Sequence, residues 1–267
     1  MEIPRIVHQT GPEMLSPHMA ACQASLQRHH PGWTYRFWTD ADLAELVHTH
    51  YPEAAAAFDA FPLIQQTDLA RYCVLHRFGG VYADLDIEWH GPIDPLLTGP
   101  LCLAHSPATL PGGPPLVTNY LMASTAGHPV WPRVLREIVR RHHERDWPWW
   151  AVNASLRVPF LTGARVLSAV VRPEHTHVFQ EPHVLNLFCA HTPLAPATVA
   201  VHRGGTARAQ GHKWSSLNGL VQHECTLRRA LGVRGNICQF PYLVTLLYGS
   251  LLLMCVTATI FLRYRKS

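Results

Sequence analysis

The sequence predicts an α/β domain built on an open, mostly parallel sheet, followed by a C-terminal transmembrane helix. Three observations carry this reading. Short apolar stretches alternate with stretches of helical period from residue 3 to residue 202, the pattern of strands joined by helices. A helical segment at 63–78 passes through Gly79 and Gly80 into an apolar strand, which ends at the acid pair Asp84 and Asp86. Residues 243–262, LVTLLYGSLLLMCVTATIFL, hold no charged side chain, and a helix of about 20 apolar residues crosses a hydrocarbon core.

The elements follow in order. Residues 3–8 alternate weakly and read as the first strand. A helix fills 17–30 and ends at Pro31-Gly32. Residues 33–38 are aromatic and strand-like. Asp40 reads as the N-cap of the next helix, which aligns Leu43, Leu46 and Val47 on one face. Pro52 interrupts, and 53–61 is a short Ala-rich helix. The helix at 63–78 stops at Gly79-Gly80, because glycine adopts the backbone conformation that closes a helix. A strand at 81–83 runs into the acid pair, and Gly91-Pro92 closes that element. Beyond it come a strand at 116–123, an amphipathic helix with a basic outer face at 129–145, a helix at 161–171 and a late strand at 198–202. Residues 204–214 are rich in Gly and Ala and read as a mobile loop.

Length and composition narrow the class. The 267 residues suit one domain with an appendage. Net charge is +4 with no Lys/Arg-rich run, so no nucleic-acid partner is expected. The seven cysteines stand singly without a CxxC pair, which argues against a zinc ribbon or redox motif; the odd count is compatible with one disulfide. Nineteen histidines include His29-His30, His142-His143 and the triplets His48/His50 and His175/His177. They read as loop and helix-end residues rather than ligands. The opening MEIPRIVHQT reads as a strand, not a signal peptide. Around 243–262, Tyr242 precedes the run and Arg263, Arg265 and Lys266 follow it. A buried core helix is the alternative, but it would show a polar stripe. Arg228, Arg229 and Arg234 lie on the other side, so charge does not orient the span. Asn153-Ala-Ser155 is a sequon that would carry sugar only in a lumenal domain.

The chemistry concentrates at 62–89. Two carboxylates at i and i+2 on an extended segment share a face. At the C-terminal end of a strand in an open α/β sheet they face the ligand crevice. Such a pair suits a hard divalent cation, Mn²⁺ or Mg²⁺, with diphosphate oxygens completing its shell. An acid pair in a solvated loop is the bland alternative. Against it, these acids sit in Val81-Tyr82-Ala83-Asp84-Leu85-Asp86-Ile87, where uncompensated charge is costly. Asp68 and Arg71 lie on one face of the preceding helix. They read either as an intrahelical ion pair or, because Gly79-Gly80 ties the helix to the acidic strand, as part of the same crevice.

The stretch TDLARYCVLHRFGGVYADLD, 67–86, resembles the SDxxRYxxLxxxGGxYxDxD pattern of the DXD glycosyltransferases of the alpha-1,6-mannosyltransferase-like group. IPRIVHQT at 3–10, FWTD at 37–40, NYLMASTAGHPV at 119–130, LTGA at 161–164 and HKWS at 212–215 resemble further segments of that group, in order. The wording RYxxLHxxGGVYxDLDI and the downstream apolar run are similar to its inositol phosphorylceramide mannosyltransferase branch. Thr67 replaces a Ser, Ala164 a Pro, Tyr120 an acid of that branch, and Thr10 the aromatic near the first strand.

The resemblance implies a GT-A-type fold, a retaining mechanism and a nucleotide-sugar donor. It implies Asp68, Arg71, Asp84 and Asp86 as catalytic residues. Asp86, Asp84 and His212 would be metal ligands, and Asp68 and Arg71 would hold sugar hydroxyls. Asn119 would line the sugar pocket, Tyr82 the donor site, Trp214 would meet the diphosphate, and His8, Gln9 and Thr10 would border the nucleotide. The expectation is mannose transfer from GDP-mannose, with Mn²⁺ or Mg²⁺, to a membrane lipid such as inositol phosphorylceramide. The expected layout is a catalytic domain at 1–216, an amphipathic juxtamembrane connection at 217–242, the span at 243–262 and a basic tail at 263–267. That makes a single-pass Golgi or endomembrane protein whose partners are the bilayer and, in one version, a regulatory membrane subunit. Two other readings stay open: a UDP-sugar enzyme acting on another glycolipid or glycan, and a non-catalytic membrane subunit with this fold.

Overall fold

The computed structural model describes residues 2–105, 116–149, 151, 154–171, 176–179, 183–186 and 194–203. Its strands are β1 (Ile6–Thr10), β2 (Thr34–Trp38), β3 (Gly80–Ala83), β4 (Ile87–Trp89), β5 (Leu101–His105), β6 (Val117–Ser124), β7 (His177–Phe179), β8 (Val184–Asn186) and β9 (Ala200–His202). Its helices are α1 (Pro17–His29), α2 (Asp40–His50), α3 (Pro52–Ala60), α4 (Leu63–Phe78), α5 (Val130–Glu144), α6 (Ala154–Leu161) and α7 (Ala164–Val170).

The main sheet has the order β2-β1-β3-β6-β5-β7. It is mixed but mostly parallel, as expected: β6 alone runs against the other five strands. β1 runs parallel to β2 and β3, but β6 is antiparallel to both β3 and β5. The cause is the segment after β3. A turn at Asp84 sends the chain into β4, which leaves the main sheet to pair with β9 in a three-stranded sheet. The chain then returns through β5 and doubles back as β6, which slots in beside β3.

Two apolar layers cover the sheet. On one side α2, α3, α4, α5 and α7 pack around Trp38, Tyr72, Tyr82, Met122 and Trp131. On the other, Leu26 of α1 and the β4 residues Ile87 and Trp89 pack against Val7, Val81 and Leu121. α5 shows how sequence period becomes packing. It buries Val130, Trp131, Val134, Leu135 and Ile138, while Arg140 on its outer side pairs with Glu137 and Glu144.

Helix ends explain two departures from the sequence reading. α2 is capped by Thr39, not Asp40: the Thr39 hydroxyl accepts from the Asp42 N–H, and the Asp42 carboxylate accepts from the Thr39 N–H. The helix expected at 161–171 is two helices broken at Thr162-Gly163, because α6 begins earlier and the chain turns sharply at Gly163. A Cβ on Gly163 would lie 3.1 Å from the Val158 carbonyl oxygen.

Gly79 and Gly80 behave as expected and for two reasons. Both have positive φ, 64° and 87°. A Cβ on Gly80 would also come within 2.5 Å of the Ile6 carbonyl oxygen, and one on Gly79 within 2.5 Å of the Ala126 nitrogen. Only glycine joins α4 to β3 this tightly. Among the described residues no helix is long and apolar enough to cross a membrane. The expected span at 243–262, the connection at 217–242 and the tail at 263–267 lie outside the described residues.

Candidate functional site

The α4–Gly79-Gly80–β3 unit fixes the site. α4 runs antiparallel to β3, so Asp68 and Arg71 come alongside the C-terminal end of the strand, where Asp84 emerges. The acid pair is not on extended backbone as the sequence suggested. Asp84 and Asp86 occupy the turn between β3 and β4, closed by a hydrogen bond from the Ile87 N–H to the Asp84 carbonyl, 3.2 Å. A turn folds both carboxylates toward one place as well as a shared strand face does. Leu85 between them packs so close to β1 that a Cβ on Gly11 would fall 2.2 Å from its Cδ1.

Arg71 is the hub. One guanidinium nitrogen donates to Asp84 Oδ1 at 3.1 Å and to the Asn119 carbonyl at 2.8 Å; the other lies 3.2 Å from Asp68 Oδ1. Its charge also rests over the Tyr82 ring, 4.6 Å from the centroid. Burial pulls the Arg71 pKa down, but Asp84, Tyr82 and Asp68 more than compensate and hold it above its ordinary value.

Asp68 is buried, and its oxygens accept from the protein: Asn119 Nδ2 at 2.8 Å, the Thr162 hydroxyl at 2.9 Å, and Arg71. Burial raises its pKa, with Arg71, Thr162 and Asn119 opposing. The resemblance implied that Asp68 holds sugar hydroxyls. In the structure its acceptors are turned inward, and it orients Arg71 and Asn119.

Asp84 and Asp86 converge with His202, the last residue of β9. One ligand atom from each lies within 4.8 Å of the others. His202 Nε2 is 3.2 Å from Asp86 Oδ1, and its ring stacks on Tyr120 with centroids 4.3 Å apart and planes 8° from parallel. Arg203 closes the far side: its N–H donates to the Asp86 carbonyl at 3.0 Å and its Nε to Glu88 Oε2 at 2.7 Å. Asp86 is buried and Asp84 partly open, its side chain 26% exposed. Burial pushes the Asp84 pKa up to about 6, against the pull of Arg71 and with a further push from Asp86. Burial lowers the His202 pKa, but the Asp86 carboxylate outweighs it and the imidazole titrates above its usual range.

The donor set fits a hard divalent cation. Arg71 meets Asp68 and Asp84, His202 meets Asp86, and Arg203 meets Glu88. The converging atoms of the cluster are two carboxylates and one imidazole, ligands suited to Mn²⁺ or Mg²⁺.

The remaining expected site residues divide. Asn119 and Tyr82 are brought into the site, the Tyr82 hydroxyl donating to Asp84 Oδ1 at 3.3 Å. His8, Gln9 and Thr10 are all buried. β1 is a central strand, so its side chains point into the two packed layers. His8 Nδ1 accepts from Trp38 Nε1 at 3.2 Å, which leaves Nε2–H to donate to the Gly79 carbonyl at 2.9 Å. Gln9 braces the acidic turn through the Asp84 carbonyl, 3.3 Å, and Thr10 donates to the Trp38 carbonyl, 2.9 Å. His212 and Trp214 lie outside the described residues. Sequence reasoning missed His202 and Thr162 as site residues. The signal for His202 was its position at the end of the expected strand 198–202; for Thr162 it was the LTGA turn.

Comparison with known proteins agrees with this geometry. Residues 16–101 match the model described as glycosyltransferase sugar-binding region containing DXD motif. Inositol phosphoceramide mannosyltransferase 3 of Schizosaccharomyces pombe is 33% identical over 162 residues, covering 60% of this chain and 44% of that protein. Mannosyl phosphorylinositol ceramide synthase SUR1 of Saccharomyces cerevisiae is 32% identical over 164 residues, covering 60% and 41%. The matches thus span less than half the length of these relatives. Among solved structures, the PaToxG glycosyltransferase is 15% identical, with a TM-score of 0.47 over 88% of this chain and 80% of that one. Residues 16–101, which carry Asp68, Arg71 and the acid pair, are thus similar to the sugar-binding region of glycosyltransferases that contain a DXD motif.

Proposed function

We propose that this chain is a metal-dependent, retaining glycosyltransferase of GT-A type that moves a hexose, mannose from GDP-mannose, to a membrane lipid such as inositol phosphorylceramide. The observation that carries the reading is the convergence of Asp84, Asp86 and His202 beside the buried Arg71. The relatives' names support the sugar and the lipid.

Asp84, Asp86 and His202 would hold the cation, which when bound supplies positive charge against the diphosphate of the leaving nucleotide. The rest of the work falls to the chain's own groups. Arg71 offers a fixed charge that needs no reorganisation, because Asp68, Asp84 and the Asn119 carbonyl already hold it. Asp68 and Thr162 set the orientation of the Asn119 amide, which then lines the sugar site. Tyr82 holds Asp84, and Tyr120 sets the plane of the His202 ring. His212 and Trp214 would close over the donor. No side-chain base is assigned. The reading places the protein at an endomembrane, the Golgi, with 243–262 as its single anchor.

The test is hydrolysis and transfer from a panel of GDP- and UDP-sugars with Mn²⁺, followed by product anomer determination by NMR. Turnover of GDP-mannose with retention supports the reading. A preference for a UDP-sugar redirects it to the second donor class. No turnover of any donor removes the enzyme reading and leaves a binding subunit.

A further inference from the structure

Among the described residues four large apolar side chains stand exposed: Trp149 at 90%, Met14 at 88%, Leu63 at 44% and Ile64 at 40%. They are not scattered. Met14 follows the C-terminal end of β1, in the loop whose Gly11 touches Leu85 of the acidic turn. Leu63 and Ile64 open α4, beyond Asp68 and Arg71 on the same helix. Trp149 follows the C-terminal end of α5, and contact between the Phe61 and His142 rings, 4.9 Å apart, shows that this end of α5 lies beside the start of α4. All four therefore belong to the end of the molecule that bears Asp84, Asp86 and His202.

We infer that this end is a bilayer-docking surface, on which Leu63, Ile64, Trp149 and Met14 enter the headgroup region of an anionic phospholipid membrane and bring the crevice against it. The inference rests on the lipid-acceptor reading above for its purpose. Its residues come from the geometry alone. Three further observations select a bilayer as the occupant. Trp149, in the run Trp147-Pro148-Trp149, is the residue type that prefers the membrane interface. Positive charge lies with it: Arg145 is exposed, and among the described residues no carboxylate pairs with it, whereas Arg140 and Arg141 are tied to Glu137. Finally, Arg203 is bonded to the Asp86 backbone at this same end, and the sequence beyond it carries the uncharged run 243–262.

The experiment places a solvatochromic fluorescent amino acid at position 63, 149 or 77 of the full chain. Arg77 is exposed at the opposite end of α4 from Leu63, roughly 20 Å away at about 1.5 Å per residue. The protein is mixed with vesicles of phosphatidylcholine and phosphatidylinositol. Quenching is then read from brominated acyl chains and from aqueous iodide. Docking predicts that positions 63 and 149 are quenched by brominated lipid at least about threefold more than position 77, with the order reversed for iodide. Equal behaviour at all three positions overturns the inference. So does shielding of 63 and 149 from both quenchers, which means that protein, a second copy or this chain's own residues, covers the surface. The readout needs no turnover. A chain that docks but transfers no sugar removes the functional reading and keeps the surface; one that transfers without docking does the reverse.

Discussion

Two carboxylate sites sit side by side in this molecule and are treated in opposite ways. Around Asp68 the protein supplies what the charge needs: Arg71, the Asn119 amide and the Thr162 hydroxyl all donate to it. Around Asp86 it supplies a second carboxylate and an imidazole. A buried carboxylate surrounded by donors is scaffold, since its bonding capacity is already used inward. Carboxylates gathered with a histidine turn their ligand atoms toward one another, the arrangement that suits a cation. Asp84 stands between the two, sharing Arg71 with Asp68 and the cation site with Asp86.

Four substitutions test that division. The largest effect is expected from Asp86→Asn, which removes a ligand charge while keeping the shape. Sugar transfer should fall by about 10³-fold or more, roughly 4 kcal/mol at 1.36 kcal/mol per decade. Mn²⁺ binding by calorimetry should be lost, with little change in melting temperature. Activity close to that of the parent would show that the two sites do not differ in kind. Asp68→Asn should do the opposite. Leaving the buried Arg71 with one fewer counter-charge costs on the order of 3 kcal/mol of stability in urea unfolding, while Mn²⁺ still binds. Loss of Mn²⁺ binding in a folded Asp68→Asn protein would merge the two sites into one.

His202→Ala comes next. Removing a ligand should weaken Mn²⁺ affinity by at least the roughly 10–100-fold seen when a ligand's supporting partner is lost, and should raise the Mn²⁺ concentration needed for turnover. An unchanged Mn²⁺ dependence would take His202 out of the shell and return attention to His212. The smallest effect belongs to Thr162→Val, which deletes one of the donors to Asp68. It should cost about 1 kcal/mol of stability without altering the Mn²⁺ requirement.

What the sequence disclosed was set by distance along the chain. α4, the glycine pair and the acids are contiguous, so residue type and order reveal them. The backbone conformation at Gly79 and Gly80 and the packing of α5 follow from local rules as well. The other half of each site was hidden. Thr162 meets Asp68 across 94 residues, and His202 reaches Asp86 only because β4 and β9 pair in the second sheet. No period or spacing encodes such a meeting. β4, β7 and β8 are three residues each, too short for alternation to register, and β5 reads LCLAH, nearly continuous apolar sequence without a strand period. Overlooking them hid the second sheet and the outer strands of the first. His8, Gln9 and Thr10 show the converse: the resemblance implied a nucleotide border at the C-terminal end of β1, yet burial on both faces of an interior strand makes these residues internal bracing.

That bracing has a consequence for where the protein can work. His8 is enclosed beneath the glycine junction, and burial pushes its pKa down to about 4, with the Gly79 carbonyl pulling the other way and the Arg36 charge adding to the fall. An unfolded chain would take up the proton near pH 6.5, so between those values the unfolded state binds it more readily. Stability is therefore full above about pH 6.5 and drains as pH falls toward 4, by up to about 3 kcal/mol from this one ring. Urea midpoints at pH 7 and pH 5 measure it. The strand that carries the acidic turn is thus fastened by a latch that works only while it is uncharged, and acidification would loosen the floor of the site quite apart from anything it does to the ligands above.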